Sequence, residues 1–387
     1  MLVRLRIPGG QTTSQVLLGV SLAASDLGTG SLQLTSRGNL QLRGLADGVL
    51  PELVERVATI GLLPSVTHER VRNVIASPLT GLDVGDPKVF RQSSTGPNGT
   101  YASGRTDLRP MVSELDRALC DTAELAELPG RFLFALDDGR GDVSALRFDL
   151  AYRAEGPGAG TVLVGSAGHG IPTTRSGAVN LMVALAVRFV RLRQDLRPAP
   201  WHLGELHDLT VIDRRIAPVG RLESGPRRVP TSPAPPLGAR GHAASVGVPL
   251  SLLSRGQVTA IHAAAGGGPV VLTPWRGVVI PGAAAALPAL SSAGLTVDDE
   301  SIWSQLTACV GAPGCAKSAI STRAMATEIA ARLAVPVAHP VHLSGCPRRC
   351  GAPSTAHLDL VAPESAARAL ALIQQAQLDP TRPEQER

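Results

Sequence analysis

The chain of 387 residues is poor in aromatic side chains and in lysine. Aromatic residues make up 3%, and lysine stands only at positions 88 and 317, so nearly all of the 37 basic residues are arginine. Basic patches interleaved with aromatic residues, which are typical of nucleic-acid-binding modules, are absent, so a nucleic-acid partner is not expected. The net charge of +5 permits an anionic ligand without identifying one.

Long hydrophobic runs are lacking as well. No stretch approaches the ~20 apolar residues that a membrane-spanning helix requires. Residues 1–6 alternate like a strand and lack the apolar region of a signal peptide. The sequence therefore predicts a cytoplasmic protein with no membrane partner. Because thiols stay reduced in that compartment, clustered cysteines indicate a metal site rather than disulfides.

Four of the five cysteines form two pairs. Cys309 and Cys315 enclose five residues and Cys346 and Cys350 enclose three, each pair within a turn rich in glycine and proline. Four such thiolates can each bind one iron of a [4Fe–4S] cluster, and N–H groups of the turns can donate hydrogen bonds to its sulfurs. A structural zinc and four unrelated buried thiols stay open as alternatives, although zinc pairs usually have shorter spacing. Cys120 is expected to be an incidental thiol.

An internal repeat organises the rest of the chain. Residues 34–44 resemble residues 272–282 once a one-residue gap aligns Arg37 with Arg276. Each copy contains an apolar strand that ends in proline, a helix and a second strand. Between the copies, residues 71–195 predict a mixed α/β domain, with strands at 131–137, 143–152 and 161–165 and a helix at 177–193.

These features together resemble the nitrite and sulfite reductase family. The resemblance rests on Cys-x5-Cys followed by Gly-Cys-Pro-x-x-Cys, on the repeat, and on runs such as Leu-Thr-Ser-Arg-Gly-Asn at 34–39. It covers most of residues 1–365 and implies an α+β fold, with duplicated ferredoxin-like half-domains plus mixed α/β catalytic domains. The expected divisions are 1–65 and 244–298 for the half-domains, 66–200 for the first catalytic domain, 201–243 for a Pro/Gly-rich connection, and 299–387 for a shortened cluster domain.

In this family a siroheme lies against the cluster, and basic side chains bind its eight carboxylates. Arginine suits this task because its planar fork binds a carboxylate through two hydrogen bonds and keeps its charge. The resemblance therefore implies a tetrapyrrole-binding set near the basic positions of the family: Arg4, Arg6, Arg37, Asn39, Arg72, Asn73 and Arg131.

The chain departs from the reductases in ways that favour a different reaction. Residues 347–349 read Pro-Arg-Arg where assimilatory reductases have Pro-Asn-Gly, and the second half is short. The opening Arg-x-Arg-Ile-Pro-Gly-Gly and the segment around Cys315 resemble a shortened branch of the family whose substrate is a metal-free tetrapyrrole. That branch implies a monooxygenase that uses O2 for hydroxylation and γ-lactone formation in aerobic cobalamin biosynthesis. A siroheme-dependent sulfite or nitrite reductase is the alternative, and a non-catalytic electron-transfer module is a second.

The same branch implies a mononuclear non-haem iron and electrons that derive from NADH. No glycine-rich dinucleotide fingerprint follows a strand, so a separate electron-donor protein is expected. A facial triad requires two histidines and one carboxylate. We expect the individual candidates to be ordinary surface or hydrogen-bonded histidines: His169, His339, His342 and His357. The ligands of this iron and the catalytic residues therefore stay unassigned.

Overall fold

A computed structural model describes residues 1–82, 106–156, 158–165, 169–206, 231–333, 337, 339–353 and 355–378. The first repeat copy contains β1 (Leu2–Leu5), β2 (Gln11–Thr13), α1 (Ser14–Leu27), β3 (Leu32–Leu34), β4 (Leu40–Arg43) and α2 (Leu50–Thr59). The middle region contains β5 (Val74–Ala76), α3 (Arg109–Asp121), β6 (Phe134–Asp137), β7 (Leu150–Gly156), β8 (Ala159–Val164), β9 (His169–Thr174) and α4 (Arg175–Asp195). The second copy contains β10 (Gly238–Arg240), β11 (Ala243–Gly247), β12 (Leu252–Leu253), α5 (Arg255–Ala265), β13 (Pro269–Leu272), β14 (Gly277–Ile280) and α6 (Leu287–Ser292). The cysteine region contains α7 (Ile302–Gln305), β15 (Leu306–Ala308), α8 (Thr322–Arg332), β16 (Val341–Ser344), β17 (Leu358–Val361) and α9 (Ala366–Leu378).

The two repeat copies form two antiparallel sheets that exchange one strand each. The first sheet has the order β1-β4-β3-β12, and the second has the order β10-β11-β14-β13-β2. Helices α1 and α5 pack against each other, and both sheets share one buried apolar core that includes Leu17 and Ile261. Because each copy completes the sheet of the other, the two half-domains form one unit.

Equivalent turns follow β3 and β13. Gly38 and Arg276 each donate the backbone N–H to the threonine three residues earlier, and their φ angles are 63° and 62°. Gly38 is therefore the structural equivalent of Arg276. The one-residue gap that aligned Arg37 with Arg276 is therefore wrong. The two turns align without a gap, so that Arg37 is equivalent to Trp275.

A mixed sheet of order β5-β6-β7-β8-β9 forms the middle region, with its first three strands parallel. The predicted helix at 177–193 is α4, and the strands predicted at 131–137 and 161–165 contain most of β6 and β8. The strand predicted at 143–152 is only partly formed. Residues 143–145 make a 3-10 turn, because Asp142 accepts a hydrogen bond from the Val143 N–H, and β7 begins at Leu150.

A parallel sheet of order β15-β16-β17 lies beneath the cysteine loops. Helix α8 connects β15 to β16, and α8 and α9 pack on a core that includes Ile329 and Leu370. The sequence predicts a helix at 318–334 and a strand at 335–343 here; the structure has α8 at Thr322–Arg332 and β16 at Val341–Ser344, and residues 334–336 and 338 lie outside the described residues. The carboxyl ends of parallel strands meet at one edge of a sheet, so the second cysteine pair returns to the first, as predicted.

Separate apolar cores lie in the middle region, in the joined half-domains and in the cysteine region. The domain boundaries drawn from the sequence stay predictions, and much of the 201–243 connection lies outside the described residues. In the part of the chain that the structure describes, no helix has the length and apolar character needed to cross a bilayer.

Gly10 lies where the first copy touches β13, and only glycine fits there. Its φ is +69°, and a Cβ atom would lie 1.9 Å from the carbonyl oxygen of Leu272. Gly48 also has a positive φ, +90°, but a Cβ there would meet no heavy atom within 4 Å.

We expect Gly10→Ala to lower the free energy of unfolding by at least about 2 kcal/mol more than Gly48→Ala. Both variants carry left-handed strain of roughly 1–2 kcal/mol, but only Gly10→Ala adds overlap with backbone. Urea unfolding of the two variants beside the wild type measures the difference. Equal losses would show that the contact with β13 is not tight.

Candidate functional site

A cavity of about 360 Å³ lies between the first sheet, the middle region and the cysteine loops. No carboxylate side chain of the described residues lines it. Six arginines share its wall with four side-chain amides and two thiols: Arg4, Arg6, Arg37, Arg43, Arg131 and Arg276, then Gln33, Gln41, Asn39 and Asn73, then Cys309 and Cys350. Such a surplus of positive charge suits a ligand with several negative groups.

An amide ladder orders two of these arginines on the face of the first sheet. Arg4 pairs across the strands with Gln41, which pairs with Gln33. Arg4 Nε donates to Gln41 Oε1 at 3.1 Å, and Gln41 Nε2 donates to Gln33 Oε1 at 3.0 Å. Arg43 Nε donates to the same Gln33 oxygen at 2.8 Å. The ladder uses only the Nε atoms of the arginines, which leaves their Nη atoms to bind a ligand.

Arg37 and Arg276 reach the cavity from the two equivalent turns. Arg37 donates to the carbonyl oxygens of Gly130 at 3.3 Å and Arg131 at 2.8 Å. Arg276 donates to the Gly351 carbonyl at 2.9 Å. Burial lowers the pKa of both guanidinium groups, and Arg4 and Arg131 lower that of Arg37 further, although Asp149 opposes them. An anion bound in the cavity would stabilise the charged guanidinium groups and raise their pKa values again.

Arg6 is also held close to other cations. Burial lowers its pKa to about 10, and Arg37, Arg4 and Arg72 add to the shift while Glu69 opposes it. Its Nε atom is buried and has no hydrogen-bond partner among the described residues. This nitrogen is therefore a donor without an acceptor.

The two predicted asparagines line the cavity but serve mainly the backbone. Asn39 is 2% exposed, and its Oδ1 accepts a hydrogen bond from the Ile7 N–H at 2.7 Å. Asn73 Nδ2 donates to the carbonyl oxygens of Arg70 and Gly130, both at 3.1 Å. Asn73 Oδ1 has no partner within the described part of the chain, so it is the one amide oxygen of the pair left for a ligand.

Arg72 does not line the cavity. The prediction that it binds a tetrapyrrole carboxylate is therefore wrong. Arg72 is 4% exposed, and it donates to Asp116 at 2.7 and 2.8 Å and to Glu69 at 2.9 Å. All of its guanidinium nitrogens are thereby occupied. Arg72 ties α3 to the segment before β5 and holds no position from which to bind a ligand.

Four cavity residues were not singled out as binding residues from the sequence: Gln33, Gln41, Arg43 and Arg276. Three of them lie on β3 and β4 with their side chains on the same face as Arg4. The alternation of polar and apolar residues along these strands was the available signal. For Arg276 the signal was its turn, which the repeat pairs with the turn that contains Arg37.

The cysteine loops meet at the carboxyl edge of the parallel sheet. Cys309 directly follows β15, and Cys346 comes two residues after β16. The Gly345 N–H donates to Cys309 Sγ at 3.3 Å, so the second loop already directs a backbone donor at a sulfur of the first. Cys315 and Cys350 complete the two pairs, and all four cysteines are free thiols.

The four cysteines are ligands of the type that a [4Fe–4S] cluster takes. Among the described residues, no three His, Cys, Asp or Glu side chains converge closely enough to bind one metal ion. A structural zinc needs four ligands on one point, whereas a cubane cluster binds one thiolate at each iron around its surface. Four free thiols and a backbone N–H directed at one of them supply the kinds of donor that a cubane cluster uses.

A mononuclear iron site is not formed by the described residues. The nearest arrangement has His342 and Asp359 side by side on β16 and β17, with the His357 ring 6.1 Å from that of His342. His342 Nδ1 lies 2.9 Å from the Thr307 hydroxyl, and Arg349 binds Asp359. Burial lowers the pKa of His342 to about 4 and keeps the ring neutral.

Comparison with known proteins identifies the class of fold. Residues 1–60 match the nitrite/sulfite reductase ferredoxin-like half domain. The NirA protein of Mycobacterium tuberculosis superposes with a TM-score of 0.65 at 21% identity, over 90% of this chain and 68% of that chain. The fold is that of a nitrite/sulfite reductase, and the predicted α+β class with ferredoxin-like half-domains is confirmed.

Among curated proteins, the chain is similar to precorrin-3B synthase of Sinorhizobium sp, with 27% identity over 93% of this chain and 77% of that protein. It is 23% identical to the chloroplastic ferredoxin–nitrite reductase of Zea mays, over 90% of this chain and 67% of that protein. A ferredoxin–nitrite reductase of Synechococcus elongatus is 30% identical over 39% of this chain. The resemblance predicted from the sequence, to precorrin-3B synthase within this family, is confirmed, and the relatives support an oxidoreductase.

We expect Arg72→Met to lower the free energy of unfolding by about 2–4 kcal/mol, because it leaves Asp116 and Glu69 without their cation. Arg4→Met removes a cation that is exposed and has one side-chain hydrogen bond, and it should cost less than about 1 kcal/mol. Urea denaturation of both variants separates the cases. A loss for Arg72→Met as small as that for Arg4→Met would contradict the structural role.

Proposed function

We propose that the chain acts as a precorrin-3B synthase in aerobic cobalamin biosynthesis. In this reaction one atom of O2 becomes a hydroxyl group on the carbon that bridges rings A and D of precorrin-3A, and the ring A acetate closes a γ-lactone. The second oxygen atom leaves as water, with two electrons from the reductant and two protons. The observation that carries the proposal is the cavity, which is lined by six arginines together with Cys309 and Cys350. None of the described carboxylates lines it. Precorrin-3A is a metal-free tetrapyrrole with eight carboxylates, which matches this surplus of charge.

The charge of the cavity lining suits a ligand with several anionic groups. The 360 Å³ volume lies within the range of small-molecule sites. Arg4 and Arg43 offer their Nη atoms on one wall, while Arg37 and Arg276 come from equivalent turns of the two half-domains. Each guanidinium fork can bind a carboxylate through two hydrogen bonds. Gln33 holds the Arg43 fork and helps to fix the Arg4 fork before the ligand arrives, which reduces the entropy lost on binding.

The same cations would assist the closing of the lactone. A carboxylate beside guanidinium groups has a lowered pKa and stays ionised. The ionised ring A acetate is the nucleophilic form, so an arginine that binds it supplies both its orientation and its charge state. Arg37 is a good candidate for this role because it lines the cavity and the carbonyl oxygens of Gly130 and Arg131 orient its guanidinium group, while its Nε–H and the second hydrogen on each Nη stay available.

We also propose that Cys309, Cys315, Cys346 and Cys350 bind a [4Fe–4S] cluster. When bound, the cluster supplies electrons one at a time at the base of the cavity. Electrons derived from NADH would arrive through a separate donor protein. The non-haem iron implied by the resemblance stays a prediction without ligands.

A siroheme-dependent assimilatory sulfite or nitrite reductase is the alternative. It is supported by the nitrite reductases among the relatives and by the same cavity, which would then hold siroheme permanently. The two functions differ in whether the tetrapyrrole is a substrate or a cofactor.

Oxygen uptake by anaerobically purified, cluster-loaded protein separates these functions. We expect uptake that depends on precorrin-3A and a reductant, together with a visible spectrum that has no siroheme Soret band. Arg37→Gln and Arg276→Gln should each raise the KM for precorrin-3A by about tenfold or more, since a lost ionic fork is worth roughly 1.5–3 kcal/mol. Arg255→Gln, on α5 and outside the cavity lining, is the matched control.

A bound siroheme with turnover of sulfite or nitrite would establish the alternative instead. A cluster-loaded protein that consumes no oxygen with precorrin-3A and binds no siroheme would contradict both enzymatic readings and favour an electron-transfer module.

A further inference from the structure

Arg323 is an unmatched cation beside the first cysteine pair. It is the second residue of α8 and is partly buried. Its Nε and Nη2 atoms are buried and lack a hydrogen-bond partner in the part of the chain that the structure describes. Buried donors without an acceptor are rare in native proteins, so this arrangement calls for an acceptor.

Thr322 anchors this end of α8 to the cysteine loop. The Thr322 hydroxyl donates to the Cys309 carbonyl oxygen at 2.8 Å and lies 3.7 Å from Cys309 Sγ. Gly311, within the loop, has a φ of +65°, and a Cβ there would lie 2.4 Å from Thr322 Oγ1. The start of the helix is therefore packed directly on the loop, and Arg323 is the residue next to this contact.

The charges around Arg323 indicate which kind of acceptor is needed. Burial lowers the pKa of Arg323 and Arg43 lowers it further, while Cys309 opposes both effects. Arg43 in turn is acted on by Cys315 and Cys350. The two guanidinium groups are thus electrostatically coupled to the cysteine set and repel each other. No carboxylate of the described residues forms an ion pair with either.

We propose that Arg323 is the counter-ion of the iron–sulfur cluster, and that Arg43 is shared between the cluster and the carboxylates of the substrate. The inference rests on the cluster of the proposed function. A cubane held by four thiolates carries net negative charge, and its sulfurs accept N–H hydrogen bonds. Arg43 lines the cavity and Arg323 does not, which divides the two cations between the ligand side and the cluster side.

This role has a consequence for electron transfer. One electron from the donor protein adds one negative charge to the cluster, and a cation nearby stabilises that reduced state more than the oxidised state. Arg323 therefore raises the reduction potential, which makes the cluster easier to reduce while the substrate occupies the cavity.

The test is an anaerobic redox titration of the full-length, cluster-loaded protein, followed by electron paramagnetic resonance. Arg323→Gln should keep about four iron atoms per chain and show a lower midpoint potential than the wild type. Arg323→Lys, which keeps the charge, should lie between them. Arg332→Gln is the matched control, because Arg332 lies at the other end of α8 and pairs with Glu328 at the surface.

Two results would overturn the inference. One is a wild-type potential in cluster-loaded Arg323→Gln, with or without weaker tetrapyrrole binding. The other is loss of the cluster in both Arg323→Gln and Arg323→Lys, which would mean that Arg323 acts through packing. Absence of a cluster from the wild type would instead refute the cysteine assignment, so the two failures are distinct.

Discussion

Positive charge held together without a matching acid is the constraint on which the rest of the site depends. Six arginines face one cavity, and none of the described carboxylates lines it. The protein limits the repulsion with neutral acceptors: Gln33 accepts two hydrogen bonds, and the carbonyl oxygens of Gly130, Arg131 and Gly351 accept others. These acceptors orient the guanidinium groups without neutralising them. The positive charge that remains is available to a polyanionic ligand. Binding of that ligand would neutralise the arginines.

The duplicated fold explains how the cations come to surround the cavity. Equivalent turns of the two half-domains present Arg37 and Arg276, and the exchanged strands hold the halves in one unit. The copies differ where they must contact different neighbours. Gly9 and Gly10 of the first copy have positive φ, and Leu250 and Ser251 have nearly the same angles in the second. Leu250 packs on the core of the cysteine region and Ser251 lines the cavity, so these contacts offset the strain of non-glycine residues.

The sequence was most informative where chemistry depends on spacing. The two cysteine pairs predicted loops that meet, and the parallel strands before Cys309 and Cys346 bring them together. It was less informative where a partner is distant. Arg72 is next to Asn73 in a family-like turn, but its partner Asp116 lies 44 residues away on α3. No local pattern reveals that this fork is already occupied. Arg43 and Gln33 were missed because alternation does not tell which face of a strand meets a cavity.

We infer that the arginine cavity and the four cysteines form one site. The most direct measurement is the electron paramagnetic resonance spectrum of the reduced, cluster-loaded protein with and without precorrin-3A under anaerobic conditions. Cys309 and Cys350 line the cavity, so a tetrapyrrole bound there would lie against the proposed cluster. We expect the reduced protein to give a cluster signal whose g values shift when the tetrapyrrole binds. A protein with no cluster signal, or one whose spectrum is unchanged at saturating tetrapyrrole, would contradict it.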